Sequence, residues 1–210
     1  MENTNIDYWE EIVKNPTPIY EKLFDEEEKF LVLHIPKNSK VLDIGCGYGR
    51  TIKTITSITE DIVGIDNDEK AVEQAKDCNL NIMCADVFNL PFPDKSFDYL
   101  VLMMTLVNFS ENKIKALKEM RRVLKDDGKI TISVYSEDAL PTRMEMYKII
   151  NVPIDRVEGT KVIFNESIGA NISEQFSKEE FEALATEAEL KISDYKKIDQ
   201  LAYIFELEKK

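Results

Sequence analysis

The sequence predicts an α/β fold, a mainly parallel sheet with helices on both faces and an antiparallel pair at one edge. Three observations carry this expectation. Between residues 41 and 135, short apolar, β-branched runs alternate with amphipathic segments, the pattern of strands joined by crossover helices. The first run ends in a glycine-rich turn that opens a helix, as at the ligand-binding edge of an open α/β sheet. The last two strand-like runs are separated only by Asp199 and Gln200, a link too short for anything but antiparallel neighbours.

Residues 18–34 predict a helix. Pro18 suits a first turn, and the acidic groups that follow suit the positive end of the dipole. Ile19, Leu23, Phe24, Phe30, Leu31 and Leu33 supply its apolar stripe, and Pro36–Lys40 breaks it. Val41–Ile44 is a short buried strand, Arg50–Ile58 a helix and Ile62–Ile65 the second strand. Asp68–Cys78 is a helix with Asp68 at its start, where a carboxylate can accept from free N–H groups. Asn81–Ala85 and Phe97–Met104 are the third and fourth strands. Ser110 is expected to cap a helix running to Leu124, with Gly128 as its stop, and Lys129–Tyr135 is the fifth strand. The alternation then breaks: a helix over 139–151, two short strands around Gly169 within 160–176, and a helix opened by Ser177 with Glu180 as its capping-box partner. KISDYKKI and QLAYIFELE form the closing pair.

The chain has 210 residues, 43% hydrophobic and 32% charged, enough for one globular domain. No apolar run approaches the ~20 residues of a membrane span. The start, MENTNIDYWEE, is acidic and polar rather than a signal peptide, so the cytoplasm is the expected location. Cys46, Cys78 and Cys84 have spacings that suit neither a zinc site nor a disulfide framework; reduced thiols and no metal are expected, with Cys78 at a helix end and Cys84 in a buried strand. A net charge of −13 repels nucleic acid and anionic lipid and favours a small molecule or a cationic acceptor.

The chemistry concentrates in Val41-Leu-Asp-Ile-Gly-Cys-Gly-Tyr-Gly-Arg50. Gly45, Gly47 and Gly49 let the backbone turn sharply and approach a ligand. A dinucleotide turn reads G-x-G-x-x-G; here the spacing is G-x-G-x-G and Arg50 stands where the third glycine would fall. Asp43, two residues before the first glycine, would repel a pyrophosphate but suits an ammonium group. Asp66 ends the second strand, placed to accept from ribose hydroxyls. Asp86 follows the third strand, where a carboxylate can accept from an exocyclic amine such as that of adenine.

On these residues the chain resembles class I S-adenosylmethionine-dependent methyltransferases of the type 11-like family. VLDIGCGYGR is similar to their first motif, VGIDND to the second, CADVFNLPFPDKSFDYLVL to the third and fourth, and MRRVLKDDGKITISVY to the fifth-strand region. The resemblance runs from about position 38 to the end. It implies a Rossmann-like seven-stranded mixed sheet and S-adenosylmethionine as cofactor, with S-adenosylhomocysteine as product. It further implies one domain over 1–210, built as a helical cap (1–35), a cofactor-binding core (36–135), a substrate-side insertion (136–176) and a closing helix and hairpin (177–210). By position, Asp43 would lie under the methionine moiety, and Gly45, Cys46, Gly47 and Gly49 would wrap methionine and ribose. Asp66 would hold the ribose hydroxyls, Asn67 would flank the adenine, Asp86 would meet its amine, Val87 would donate its backbone N–H, and Met103 would approach the methionyl end.

Methyl transfer from a sulfonium is an in-line displacement with an activated leaving group, so alignment supplies most of the catalysis. Many small-molecule members of the family carry histidine just after the fourth strand; this chain has Val107 and Asn108 there, and its one histidine, His34, precedes the first strand. No catalytic residue is therefore assigned. Tyr8, Tyr20, Asn108, Tyr135 and Arg143 are candidates for the acceptor side, with Glu137 and Asp138 further possibilities by position. The expected activity is methylation of a small-molecule N, O or S nucleophile by a monomer or homodimer, without nucleic-acid or membrane partners. The alternatives are a protein or RNA methyltransferase, a non-catalytic S-adenosylmethionine-binding module, and a nicotinamide-dependent oxidoreductase.

Overall fold

The computed structural model describes residues 12–77, 80–166 and 172–210. Helix α1 (Pro18–His34) has the proline in its first turn and buries Tyr20, Leu23, Phe24, Glu27, Phe30 and Leu31 at helical spacing. Leu33, expected on that stripe, falls off this face and is 79% exposed.

Strand β1 (Val41–Ile44) feeds α2 (Arg50–Ile55); β2 (Ile62–Asp66) feeds α3 (Glu69–Asp77). Then come β3 (Ile82–Cys84), β4 (Phe97–Met103), α4 (Lys113–Val123) and β5 (Leu124–Tyr135). Asp68 starts α3 as expected, its Oδ1 accepting from the N–H of Lys70 at 2.9 Å. Helix α5 (Leu140–Ile149) precedes β6 (Ile154–Glu158), β7 (Lys161–Phe164) and β8 (Ile172–Ser173), and α6 (Lys178–Glu187) precedes β9 (Leu190–Ile198) and β10 (Ala202–Lys209).

The main sheet has seven strands in the order β3-β2-β1-β4-β5-β10-β9. The first five are parallel; β10 runs antiparallel to β5 and to β9. The β9–β10 link turns at Asp199, with φ 46°. Strand order reverses between β1 and β4, and this opens a crevice at their carboxyl ends. Two apolar clusters pack the sheet: Val41, Ile52, Ile55, Val72, Tyr99 and Val101 in one, Leu42, Leu100, Leu117, Ile132 and Phe205 in the other. Alternate residues of β1 and β4 thus serve opposite faces.

Three further local expectations need correction. Ser110 does not cap α4; it lies in a 3-10 turn with φ 45°, and the helix starts at Lys113 without a side-chain cap. Gly128 does not stop that helix, because the chain becomes extended at Leu124 (φ −73°, ψ 137°) and Gly128 lies within β5. The glycine is needed there because a Cβ would come 2.8 Å from the Asp98 carbonyl oxygen of the neighbouring strand. Cys84 is exposed, since β3 is the edge strand; Cys78 lies outside the described residues. The two strands expected on either side of Gly169 are β7 and β8, and β6 joins them in a three-stranded sheet, β6-β7-β8, whose first hairpin turns at Gly159 (φ 58°); Gly169 itself lies outside the described residues. By contrast, Ser177 and Glu180 form the capping box expected of them.

Candidate functional site

A cleft of about 940 Å³ opens at the carboxyl ends of β1, β2 and β4. Its floor is the glycine turn. The N–H groups of Gly45 and Cys46 both donate to the Ile65 carbonyl, at 2.8 and 3.0 Å, which ties the turn to β2. Gly45 has φ 67°, and a Cβ there would stand 2.4 Å from Thr105 Cγ2. Only glycine fits such a position without strain. Gly49, at φ 81°, starts α2 and would strike Leu80. Gly47 (φ 49°) has open space where its Cβ would be, and it lines the cleft.

Three carboxylates surround this turn. Asp66 Oδ2 accepts from the Gly47 N–H at 2.8 Å and its Oδ1 from the Asp68 N–H at 3.0 Å, so its head is fixed at the cleft wall. Asp86 lines the cleft and also accepts from the Phe88 N–H at 2.9 Å, which holds the short turn containing Val87. Asp43 lies on β1, two residues before the turn, and does not itself line the cleft. It is 1% exposed and its Oδ2 has no hydrogen-bond partner. Burial raises its pKa to about 8, against the pull of the Arg50 cation. Arg50 is itself committed to Glu27, which is fully buried, at 2.6 Å, and its guanidinium lies 4.3 Å from the Phe24 ring centroid. A buried carboxylate oxygen without a donor is a place for a cationic donor.

Asn67 and Val87 line the cleft beside Asp66 and Asp86. Cys46 is buried in the turn, and burial, then Asp43, raises its pKa far above the ordinary thiol range; it is packing rather than a nucleophile. Met103 packs among the core residues, while its neighbours Met104 and Thr105 line the cleft. Sequence reasoning stopped one residue short there. The signal was available in Met104, a non-glycine residue at φ 53°, only once the backbone was known.

The far end of the cleft is formed by Tyr135, Tyr147, Val152, Phe164, Ser173 and Asn108. Tyr20 does not line it; its hydroxyl lies 3.0 Å from that of Tyr135 and holds it from behind. Arg143 is fully buried behind Tyr147 and Ser173. Tyr8 lies outside the described residues. Glu137 and Asp138 are paired with Lys197 at 3.0 and 2.8 Å and do not line the cleft. His34 bridges α1 and β9, with Nδ1 2.8 Å from the Phe30 carbonyl and Nε2 3.0 Å from Asp194. Among the described residues no cluster of side chains could hold a metal, and no helix is long and apolar enough to cross a membrane. Phe164 and Ser173 were missed because they lie on β7 and β8, whose short, mostly polar surroundings carry no motif.

The glycine turn, the reversal of strand order and the three acids fall within one segment, and residues 42–132 match the family model of a methyltransferase domain. Residues 42–132 thus carry a methyltransferase domain. The chain is 33% identical to a probable tRNA methyltransferase 9B of Mus musculus over 142 residues, which are 67% of this chain and 31% of that protein. It is 32% identical to a demethylmenaquinone methyltransferase of Staphylococcus haemolyticus over 125 residues, 56% of this chain and 52% of that one. It thus spans about half the length, or less, of these two relatives. In structure it superposes on a protein of Pyrococcus horikoshii with a TM-score of 0.72 at 22% identity, covering 99% of this chain and 95% of the other. The groups at the turn fit S-adenosylmethionine, a methyl donor with an amino-acid end, a ribose and an adenine. The orphan Asp43 oxygen matches an ammonium group, and Asp66 and Asp86 both line the cleft, where they can accept from hydroxyls and an amine.

Proposed function

We propose that the protein transfers a methyl group from S-adenosylmethionine to an N, O or S nucleophile of a small molecule in the cytoplasm. The observation that carries the cofactor half is Asp43, a buried acid with a partnerless oxygen two residues before the glycine turn. S-adenosylmethionine, when bound, supplies a methyl group already activated on a sulfonium. The residues then bind, orient and shield. In this reading Asp43 accepts from the amino-acid end, Asp66 from the ribose hydroxyls, and Asp86 with the Val87 N–H from the adenine edge. Gly45 and Gly47 line the cleft and let the backbone approach without side chains, while Gly49 makes room for Leu80.

The acceptor half rests on charge and shape. A net charge of −13 opposes binding of a polyanion, and the far end of the cleft is walled by aromatic and apolar side chains. The demethylmenaquinone methyltransferase among the relatives is in keeping with this; the probable tRNA methyltransferase keeps RNA as the second reading. Tyr135 is no proton acceptor at neutral pH, because burial and the neighbouring Tyr147 push its pKa to about 12, although Arg143 opposes the rise. It orients instead, and an acceptor that is nucleophilic unaided needs nothing more. The test is a panel of small nucleophiles and total tRNA incubated with radiolabelled S-adenosylmethionine. Label in a small product and none in tRNA is expected; label in tRNA alone would replace this reading with the second.

A further inference from the structure

We infer that the acceptor is a small organic acid whose carboxylate is received at the closed end of the cleft by the hydroxyls of Tyr147 and Ser173, with the Arg143 guanidinium behind them. This deepens the methyltransferase reading and rests on it for the identity of the acceptor.

Arg143 comes from α5 and is fully buried. Its Nη2 donates to the Tyr147 hydroxyl and, at 2.7 Å, to Ser173 Oγ. Its Nη1 reaches the Gln175 amide oxygen in the orientation that satisfies both ends of that amide. The Tyr135 ring centroid lies 3.9 Å from the guanidinium carbon. Its Nε has no partner. The carboxylate nearest in sequence to these partners, Glu174, is already taken by Lys113 at 2.6 Å and Lys161 at 2.7 Å. Among the described residues, then, this buried cation has phenol, hydroxyl and amide partners but no counter-charge, an arrangement that an anion would complete.

The direction of the hydrogen bonds shows where that anion goes. A guanidinium only donates, so the Tyr147 and Ser173 oxygens accept from it and each keeps its own O–H for another acceptor. Both residues line the cleft, whereas Arg143 does not. Two polarised O–H donors backed by a positive charge form a receptor for an oxyanion. The walls beside them are Ile12, Val152 and Phe164, which suit an apolar body attached to the carboxylate. Tyr135, whose hydroxyl lies 3.0 Å from that of Tyr20, lines the cleft with them.

The experiment uses the full chain saturated with S-adenosylhomocysteine. Matched pairs are titrated: benzoate with benzamide, phenylacetate with phenylacetamide, and hexanoate with hexanamide, each followed by ligand-observed NMR. At least one acid is expected to bind about tenfold or more tightly than its amide. Arg143→Met should erase that preference while S-adenosylhomocysteine binding is unchanged. Tyr147→Phe and Ser173→Ala retain the guanidinium and the packing, and each should weaken the acid several-fold, which keeps the test valid if Arg143→Met fails to fold. Equal binding of acids and amides, binding of no acid at all, or full preference in Tyr147→Phe and Ser173→Ala would overturn the inference. If S-adenosylhomocysteine fails to bind the wild type, the methyltransferase reading falls on its own, and the acid–amide preference is then read on the free protein.

Discussion

Replacing Asp43 by Asn tests the cofactor site at its most unusual atom. Asp43 is 1% exposed, its Oδ2 has no partner, and burial raises its pKa to about 8. A charge-assisted hydrogen bond to an ammonium is worth ~1.5–3 kcal/mol, so Asp43→Asn should weaken S-adenosylhomocysteine roughly 10- to 100-fold. Methylthioadenosine, which lacks the amino-acid arm, should lose little. The pH dependence carries a second signature. The folded, free protein holds the Asp43 proton up to about pH 8, whereas the unfolded chain releases it in the ordinary carboxylate range. Stability therefore falls as pH rises through that window, by at most about 1.4 kcal/mol per unit, and Asp43→Asn removes this fall. Ligand binding ionises the group, so below pH 8 the wild type should release a proton on binding and its affinity should rise toward pH 8. Calorimetry in buffers of different ionisation enthalpy reads that proton directly. Wild-type affinity in Asp43→Asn, or binding without proton release at pH 6.5, would refute the reasoning.

Three further outcomes follow from the same geometry. Gly45→Ala places a Cβ at φ 67° and 2.4 Å from Thr105, so it should cost roughly 1–3 kcal/mol in urea unfolding and weaken S-adenosylhomocysteine in calorimetry. Glu27→Gln breaks the 2.6 Å contact with Arg50 and removes a negative charge that helps raise Asp43, so it should reduce stability by about 1–3 kcal/mol and move the proton release of Asp43 to lower pH. His34→Gln touches only the α1–β9 contact, so S-adenosylhomocysteine affinity should change less than about twofold; a large loss would place the histidine in the site.

The middle of the sheet was legible because its central strands are buried on both faces and read as short apolar runs broken by glycine and acids. Val41–Ile44, for example, is buried at every position. The glycine turn was equally legible, since Gly45 and Gly49 are positions that other residues cannot occupy without strain. Where the sequence misled, tertiary contacts override local signals. Gly128 reads as a helix stop but exists to let the Asp98 carbonyl pass, and Ser110 reads as a cap but lies in the turn before the helix. The strand Ile154–Glu158 has almost no buried side chain, so no alternation marks it. The acceptor end was only partly legible. Tyr135 and Arg143 could be named from their positions, but that Arg143 stands behind Tyr147 and Ser173 depends on a small sheet folded over α5, which no motif announces.

The central claim, an S-adenosylmethionine site at the glycine turn, is tested most directly by calorimetric titration with S-adenosylhomocysteine, repeated on Asp66→Ala and alongside NAD. The account predicts micromolar binding to the wild type, loss of that binding in Asp66→Ala because the carboxylate that fixes Gly47 and faces the cleft is gone, and no binding of NAD. Binding of NAD in preference to S-adenosylhomocysteine, or no binding of S-adenosylhomocysteine at all, would contradict it.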